Sequence, residues 1–189
     1  MTLRQLLLEK REVIARRWLG VVLATYPGDS GAVFASEKDP FANPVGHSLR
    51  MGTERILDVL LEGTDDEGIR ESLYEIMKIR AVQQFAPSQA VEFVFRLKDV
   101  VRAELGGAVS DPQYSRELGE LDAQIDEITL AAFDAYVECR EQVHQLRINE
   151  VKRQVSWVIG KVNQQDPEPE LVQIESKRDG GNVQREGLR

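Results

Sequence analysis

Apolar and polar residues recur along almost the whole chain with the period of an α-helix. In residues 2–26, Leu3, Leu6, Leu7, Val13, Ile14, Trp18, Val21 and Val22 share helical spacing, with Thr2 placed to cap the start and Pro27-Gly28 to end it. The connection over residues 27–42 is long for a helix–helix link, which predicts either a functional loop or a short helical turn around Val33-Phe34. Asn43-Pro44 reads as an N-cap followed by proline at the first helical position, opening a helix to about Glu62 that ends at Gly63. Asp65 or Asp66 caps a third helix carrying Ile69, Leu73, Ile76 and Met77. A fourth, capped by Ser88 after Pro87, runs to about Leu105. Its charges Glu92, Arg96, Asp99 and Arg102 form one narrow stripe, so the rest of its surface is apolar and belongs in the middle of a domain. Phe85 before the cap and Val91 after it are placed for a contact that sets the entry angle.

Gly106-Gly107 breaks the pattern. After Pro112 there is no further proline up to Val162, and Gly119 is the only glycine before Gly160. One helix of that length is rare, so a bend or a break into two is expected. Val137, Glu141, His144, Ile148, Val151, Val155, Val158 and Val162 occur at alternating four- and three-residue steps, the heptad pattern of a coiled-coil seam. After Gln165 the sequence Asp-Pro-Glu-Pro-Glu opens a charged tail predicted to be disordered. The fold class read from these patterns is all-α, with a helical domain over residues 1–163 that includes a long C-terminal helix, and a tail over residues 164–189.

Length, charge and chemistry narrow the function. A chain of 189 residues suits one domain with a real core. A net charge of −8 argues against nucleic acid and against anionic membrane surfaces as partners. Charges interrupt every apolar run near the N-terminus, so no signal peptide or membrane span can be drawn. The lone Cys139 fits a reducing compartment, and a cytoplasmic location is expected. The two histidines, His47 and His144, sit on different predicted helices, and phosphate loops, zinc-hydrolase motifs and nucleophile elbows are absent. The expectation is a non-enzymatic protein with no cofactor and no metal. His47-Ser-Leu-Arg-Met-Gly is similar to the H-x-L-K-G motif of histidine phosphotransfer domains, but Met51 stands where that motif has glycine, and Gly52 is turned off the face. A capping or partly buried structural role for His47 is therefore favoured, with phospho-acceptor as the alternative. His144 reads as a polar residue within the seam, or as a pH-sensitive one.

Three stretches carry a family resemblance: Asp39-Pro-Phe-Ala-Asn-Pro-Val-Gly-His47, the long segment from Ile79 to Arg102 containing Phe-Ala-Pro-Ser-Gln, and Leu130-Ala-Ala-Phe-Asp-Ala-Tyr-Val-Glu-Cys-Arg-Glu-Gln-Val143. Together they resemble the N-terminal sensor domain of RsbT co-antagonist (RsbRD-type) stressosome proteins. The resemblance implies a globin-like bundle that carries no haem, forms homodimers and continues through a linker helix to a STAS domain phosphorylated on Ser or Thr. The seam from Val137 to Val162 is similar to that linker, and the residues after Val162 are expected to be too few for a STAS domain. The expected role is a sensory or adaptor module in stress signalling, with a STAS-domain protein or a kinase as partner and the signal leaving through residues 136–162. Phe85, Pro87, Val91, Phe93, Phe95 and Leu97 are expected in the core of the domain. A haem-binding globin is the least favoured alternative, because no histidine stands between Ile69 and Leu105, where a proximal ligand is needed.

Overall fold

Thr2 opens the first helix through a capping box. Its hydroxyl accepts from the Gln5 N–H at 3.2 Å, and the Gln5 side chain accepts from the Thr2 N–H at 3.0 Å. The computed structural model describes residues 1–27, 30–36, 39–63 and 66–165. Among these, the elements are α1 (Leu3–Glu9), α2 (Arg11–Ala24), α3 (Ser30–Ser36), α4 (Pro44–Glu62), α5 (Asp66–Val82), α6 (Pro87–Leu105), two 3-10 turns (Gly106–Ser110 and Pro112–Tyr114) and α7 (Ser115–Gln165), with no strand. The single helix read over residues 2–26 is thus two, separated at Lys10, where the backbone leaves the helical region and the N–H turns back to Leu7 and Leu8. The short helix α3 takes up the Val33-Phe34 turn.

The Asn43-Pro44 start behaves as the sequence predicts. The Asn43 side chain accepts from the Gly46 N–H at 2.8 Å, and its amide donates to the Phe34 carbonyl at 2.9 Å, which ties α3 to the start of α4. Gly63, at φ 71°, closes α4. Of the two cap candidates for α5, Asp66 begins the helix and Asp65 lies outside the described residues. The cap of α6 is Ala86 and not Ser88, because Pro87 takes the first helical position. Gln89, three residues after the cap, then reaches back to accept from the Ala86 N–H at 3.2 Å.

Between α5 and α6 the chain makes a Schellman turn. The Phe85 N–H bonds the Arg80 carbonyl, the Gln84 N–H bonds the Ala81 carbonyl, both at 3.2 Å, and Gln84 sits at φ 62°. The apolar contact that normally closes this motif is replaced by a cation–π contact, with the Arg80 guanidinium 4.9 Å from the centre of the Phe85 ring. Arg80 is fully buried. It donates to the carbonyls of Gln89 (2.9 Å) and Ala90 (3.3 Å) and to the Thr25 hydroxyl (3.0 Å), and lies over Phe93 at 4.6 Å and Tyr26 at 5.5 Å. Phe93 also stacks on Trp18, whose indole N–H donates to the Phe93 carbonyl at 2.7 Å.

The chain divides into two units, Met1–Ile148 and Asn149–Arg189. The core belongs to the first, where α2 packs on α4 and α6, and α5 packs on α4 and α6. Gly52 is the close approach between α4 and α5: a Cβ there would meet the Ile76 side chain at 2.9 Å. Phe85, Val91, Phe93 and Leu97 are buried in this core, as expected. Phe95 is not, being 47% exposed; two residues from Phe93, it is turned by some 200° around the helix and joins the Glu92–Arg96 surface. Pro87 is exposed at the helix start. The expected break into two within residues 111–162 is not found: Pro112 and the second 3-10 turn, which Asp111 caps, come before the α-helix starts. From Ser115 the α-helix is continuous for 51 residues. The tail predicted to be disordered lies outside the described residues from 166 onward, and Gln164 and Gln165 belong to α7.

These placements predict unequal effects on stability in urea unfolding. Phe93→Ala should cost on the order of 3–5 kcal/mol, whereas Phe95→Ala should cost no more than about 0.5 kcal/mol. Gln84→Gly removes the Cβ from a left-handed position and should raise stability by roughly 1 kcal/mol.

Candidate functional site

The first half of α7 presents two apolar faces. One lines the core of the first unit: Leu118, Leu121, Ile125, Ile128, Ala132, Tyr136 and Cys139 are buried, and Val143 is partly so. Polar contacts fix it there. Lys98 pairs with Asp126 at 2.6 Å and Arg102 with Asp122, and the Tyr74 hydroxyl donates to Gln142 at 3.0 Å. The Tyr136 hydroxyl donates to the Phe85 carbonyl, which also accepts from Arg140 at 3.1 Å. At the opposite end of the domain Glu117 accepts from the Leu3 N–H at 2.9 Å, a carboxylate at the positive end of α1.

The other face looks outward. Leu130 is 68% exposed, and Phe133, Val137 and Ile148 are exposed with it, as are Glu141 and His144. The heptad pattern in the sequence starts this stripe at Val137; Leu130 and Phe133 extend it. Their spacing explains why that pattern leaves them out: the steps from Leu130 run three, four, four, and the second four breaks the heptad alternation. In the second unit Val151, Val155 and Val158 are exposed, together with Trp157 and Ile159. Glu150 bonds Arg153 and Gln154 along the same helix, and Lys161 lies 4.2 Å from the centre of the Trp157 ring. The side chain of Val162 lies outside those described.

His47 is neither a cap nor partly buried, which corrects the role favoured from sequence. Asn43 supplies the cap, and the imidazole is exposed without a polar partner among the described residues. Met51, one turn on, is exposed beside it, while Gly52 is buried against Ile76. No group of three or more His, Cys, Asp or Glu able to hold a metal occurs among the described residues, and none of their helices is long and apolar enough to cross a membrane.

Cys139 is the one nucleophilic side chain on the inner face. Burial, with Glu138 adding to it, pushes its thiol pKa up, and the thiol reaches the Tyr74 carbonyl at 3.9 Å. The native protein should therefore react with a disulfide reagent at neutral pH slower by orders of magnitude than the urea-unfolded chain, as followed by thiolate release.

An uncharacterized protein of Archaeoglobus fulgidus is 27% identical over 105 residues, which cover 54% of this chain and 66% of that protein, so the chain spans just under two thirds of its relative. No solved structure matches. The family described as the RsbT co-antagonist protein rsbRD N-terminal domain matches residues 12–151, from the first turn of α2 into α7. The chain belongs to that family.

Proposed function

We propose that the protein is a non-enzymatic sensory or adaptor module that pairs with a second copy of itself along the outward face of α7 and passes its state to a STAS-domain protein or a kinase. Membership of a stressosome-related family supports the signalling role. The observation that carries the pairing is that apolar face itself. In the first unit Leu130, Phe133 and Val137 stay exposed on a helix that has already buried its core side, and the heptad steps of the sequence continue through Ile148, Val151, Val155 and Val158, exposed as well. These side chains are about half exposed, so covering each is worth on the order of 1 kcal/mol, and heptad spacing offers a self-complementary way to do so.

Glu141 and His144 interrupt the stripe. Polar residues in a seam lower its stability while fixing register, so they make the pairing adjustable. A stimulus shifts such a pair only through unequal affinity for two arrangements, and an imperfect seam supplies two arrangements close in free energy.

Sedimentation tests the reading. The wild-type chain should run as a dimer at micromolar concentration. Val151→Asp with Val155→Asp should make it monomeric with unchanged helicity, since paired helices would bury unpartnered charges. Glu141→Leu with His144→Leu should tighten the dimer at least about tenfold. A monomeric wild type, or a dimer indifferent to both double variants, rejects the pairing along α7.

A further inference from the structure

A cavity of about 340 Å³ opens beside the turn between α5 and α6, lined by Thr25, Tyr26, Pro27, Ser30, Gln83, Gln84, Phe85 and Gln89. Its size is within the range of small-ligand sites. No acid or base is among the described lining residues, in a chain with 32 acids. Directly behind the wall lies Arg80. Thr25 and Gln89, which bond it, and Tyr26 and Phe85, whose rings cover it, are four of the eight lining residues.

The charge of Arg80 is not neutralised by any carboxylate contact among the described residues. Its acceptors are two carbonyls and one hydroxyl. The acid whose field reaches it, Glu92, is committed to Arg96 at 2.8 Å. Burial raises the Tyr26 pKa and so keeps the phenol neutral; burial also lowers that of Arg80, but a guanidinium starts from so high a value that it stays a cation. The Arg80 Nε–H and the Tyr26 hydroxyl are buried beside one another, and neither makes a hydrogen bond of good geometry. Such orphaned groups are costly and uncommon in native interiors. The start of α6 adds to the positive potential, since Ala86 has no side chain with which to accept from the free N–H groups of the first turn. The turn itself is held in a left-handed conformation at Gln84, the kind of strain that collects around ligand sites.

We propose that this cavity binds a small monocarboxylate with a flat apolar body, whose carboxylate neutralises Arg80. One uncompensated positive charge calls for one negative charge, and a dianion would leave a surplus in a poorly solvated place. The apolar body suits the edge-to-face pair of Tyr26 and Phe85 (5.2 Å between ring centres) and Pro27, with the amides of Gln83, Gln84 and Gln89 at the rim. The orphaned donors are shielded in this structure, so binding includes a local shift of the Tyr26–Phe85 wall. The site does not depend on pairing along α7 and stands equally well in a monomer.

Calorimetric titration of the full chain with benzoate tests this, with benzamide as the uncharged isostere and inorganic phosphate as a second anion. Benzoate should bind saturably at one site per chain and raise Tm, and benzamide and phosphate should each bind at least about tenfold more weakly. Tyr26→Phe, which keeps the ring and removes an unpartnered hydroxyl, should stay folded and weaken benzoate severalfold. Arg80→Met should abolish binding, with circular dichroism as the check that it folds. Failure of benzoate to bind at millimolar concentration overturns the proposal, as does benzamide or phosphate binding equally well, or a Tyr26→Phe protein that binds benzoate unchanged.

Discussion

The packing of the first unit turns on a guanidinium buried without a carboxylate partner among the described residues. Arg80 leaves α5 at its last turn, bonds two carbonyls in the first turn of α6, and reaches the Thr25 hydroxyl just past the end of α2. One side chain therefore fixes three chain segments at their ends, where helices otherwise rely on apolar contact alone. The cost of desolvating a charge is several kcal/mol, and three hydrogen bonds and three aromatic rings offset a part of it here. Because Phe93 touches both Arg80 and Trp18, the same cluster joins the polar junction to the apolar centre of the bundle. The Schellman turn depends on it too: its closing contact is Arg80 on Phe85, and the strained Gln84 sits between them.

Much of this fold was legible in the sequence because its helix ends are marked by residues with one strong local preference. Asn43-Pro44, Gly63 and Thr2 act through a cap or a left-handed backbone that needs no tertiary information. Where two local signals compete, sequence reading fails by a residue or two. Ser88 is a better cap by type than Ala86, yet Pro87 can occupy the first helical position at no hydrogen-bonding cost, and the start moves accordingly. Phe93 and Phe95 are alike in composition and differ only in angle around α6; periodicity in a helix apolar over most of its circumference does not say which one faces in. The role of Arg80 was not legible at all. An arginine at a helix end reads as a solvated charge that favours the dipole, and only the positions of Thr25, Gln89 and three rings from elsewhere in the chain make it a core residue.

The last helix shows how one stretch of sequence can hold two interfaces. From Leu130 to Val143 the inward residues Ala132, Tyr136, Cys139 and Val143 and the outward residues Leu130, Phe133 and Val137 interleave, so the two patterns overlap in sequence. Heptad spacing reveals the outward pattern beyond Val137, where it stands alone, and loses it upstream, where the inward pattern runs through it. The extra four-residue step between Val137 and Glu141 has a structural meaning as well, since such stutters locally unwind a supercoil. It lies within the stretch where the helix is also gripped from inside by Arg140 and Tyr136 on the Phe85 carbonyl. Whatever covers the outward face there must conform to a geometry already set by the core.

The two tryptophans are divided between the two units and between opposite surroundings. Trp18 is wholly enclosed, its indole N–H committed to the Phe93 carbonyl, whereas Trp157 is 61% exposed. Light emitted by the first comes from an apolar cage and lies to the blue; light from the second comes from a ring in water and lies to the red. A dissolved quencher reaches only the second. Loss of the bundle and covering of the exposed helix thus leave separate optical signatures in the unlabelled protein, so the state of each unit can be read in the same cuvette.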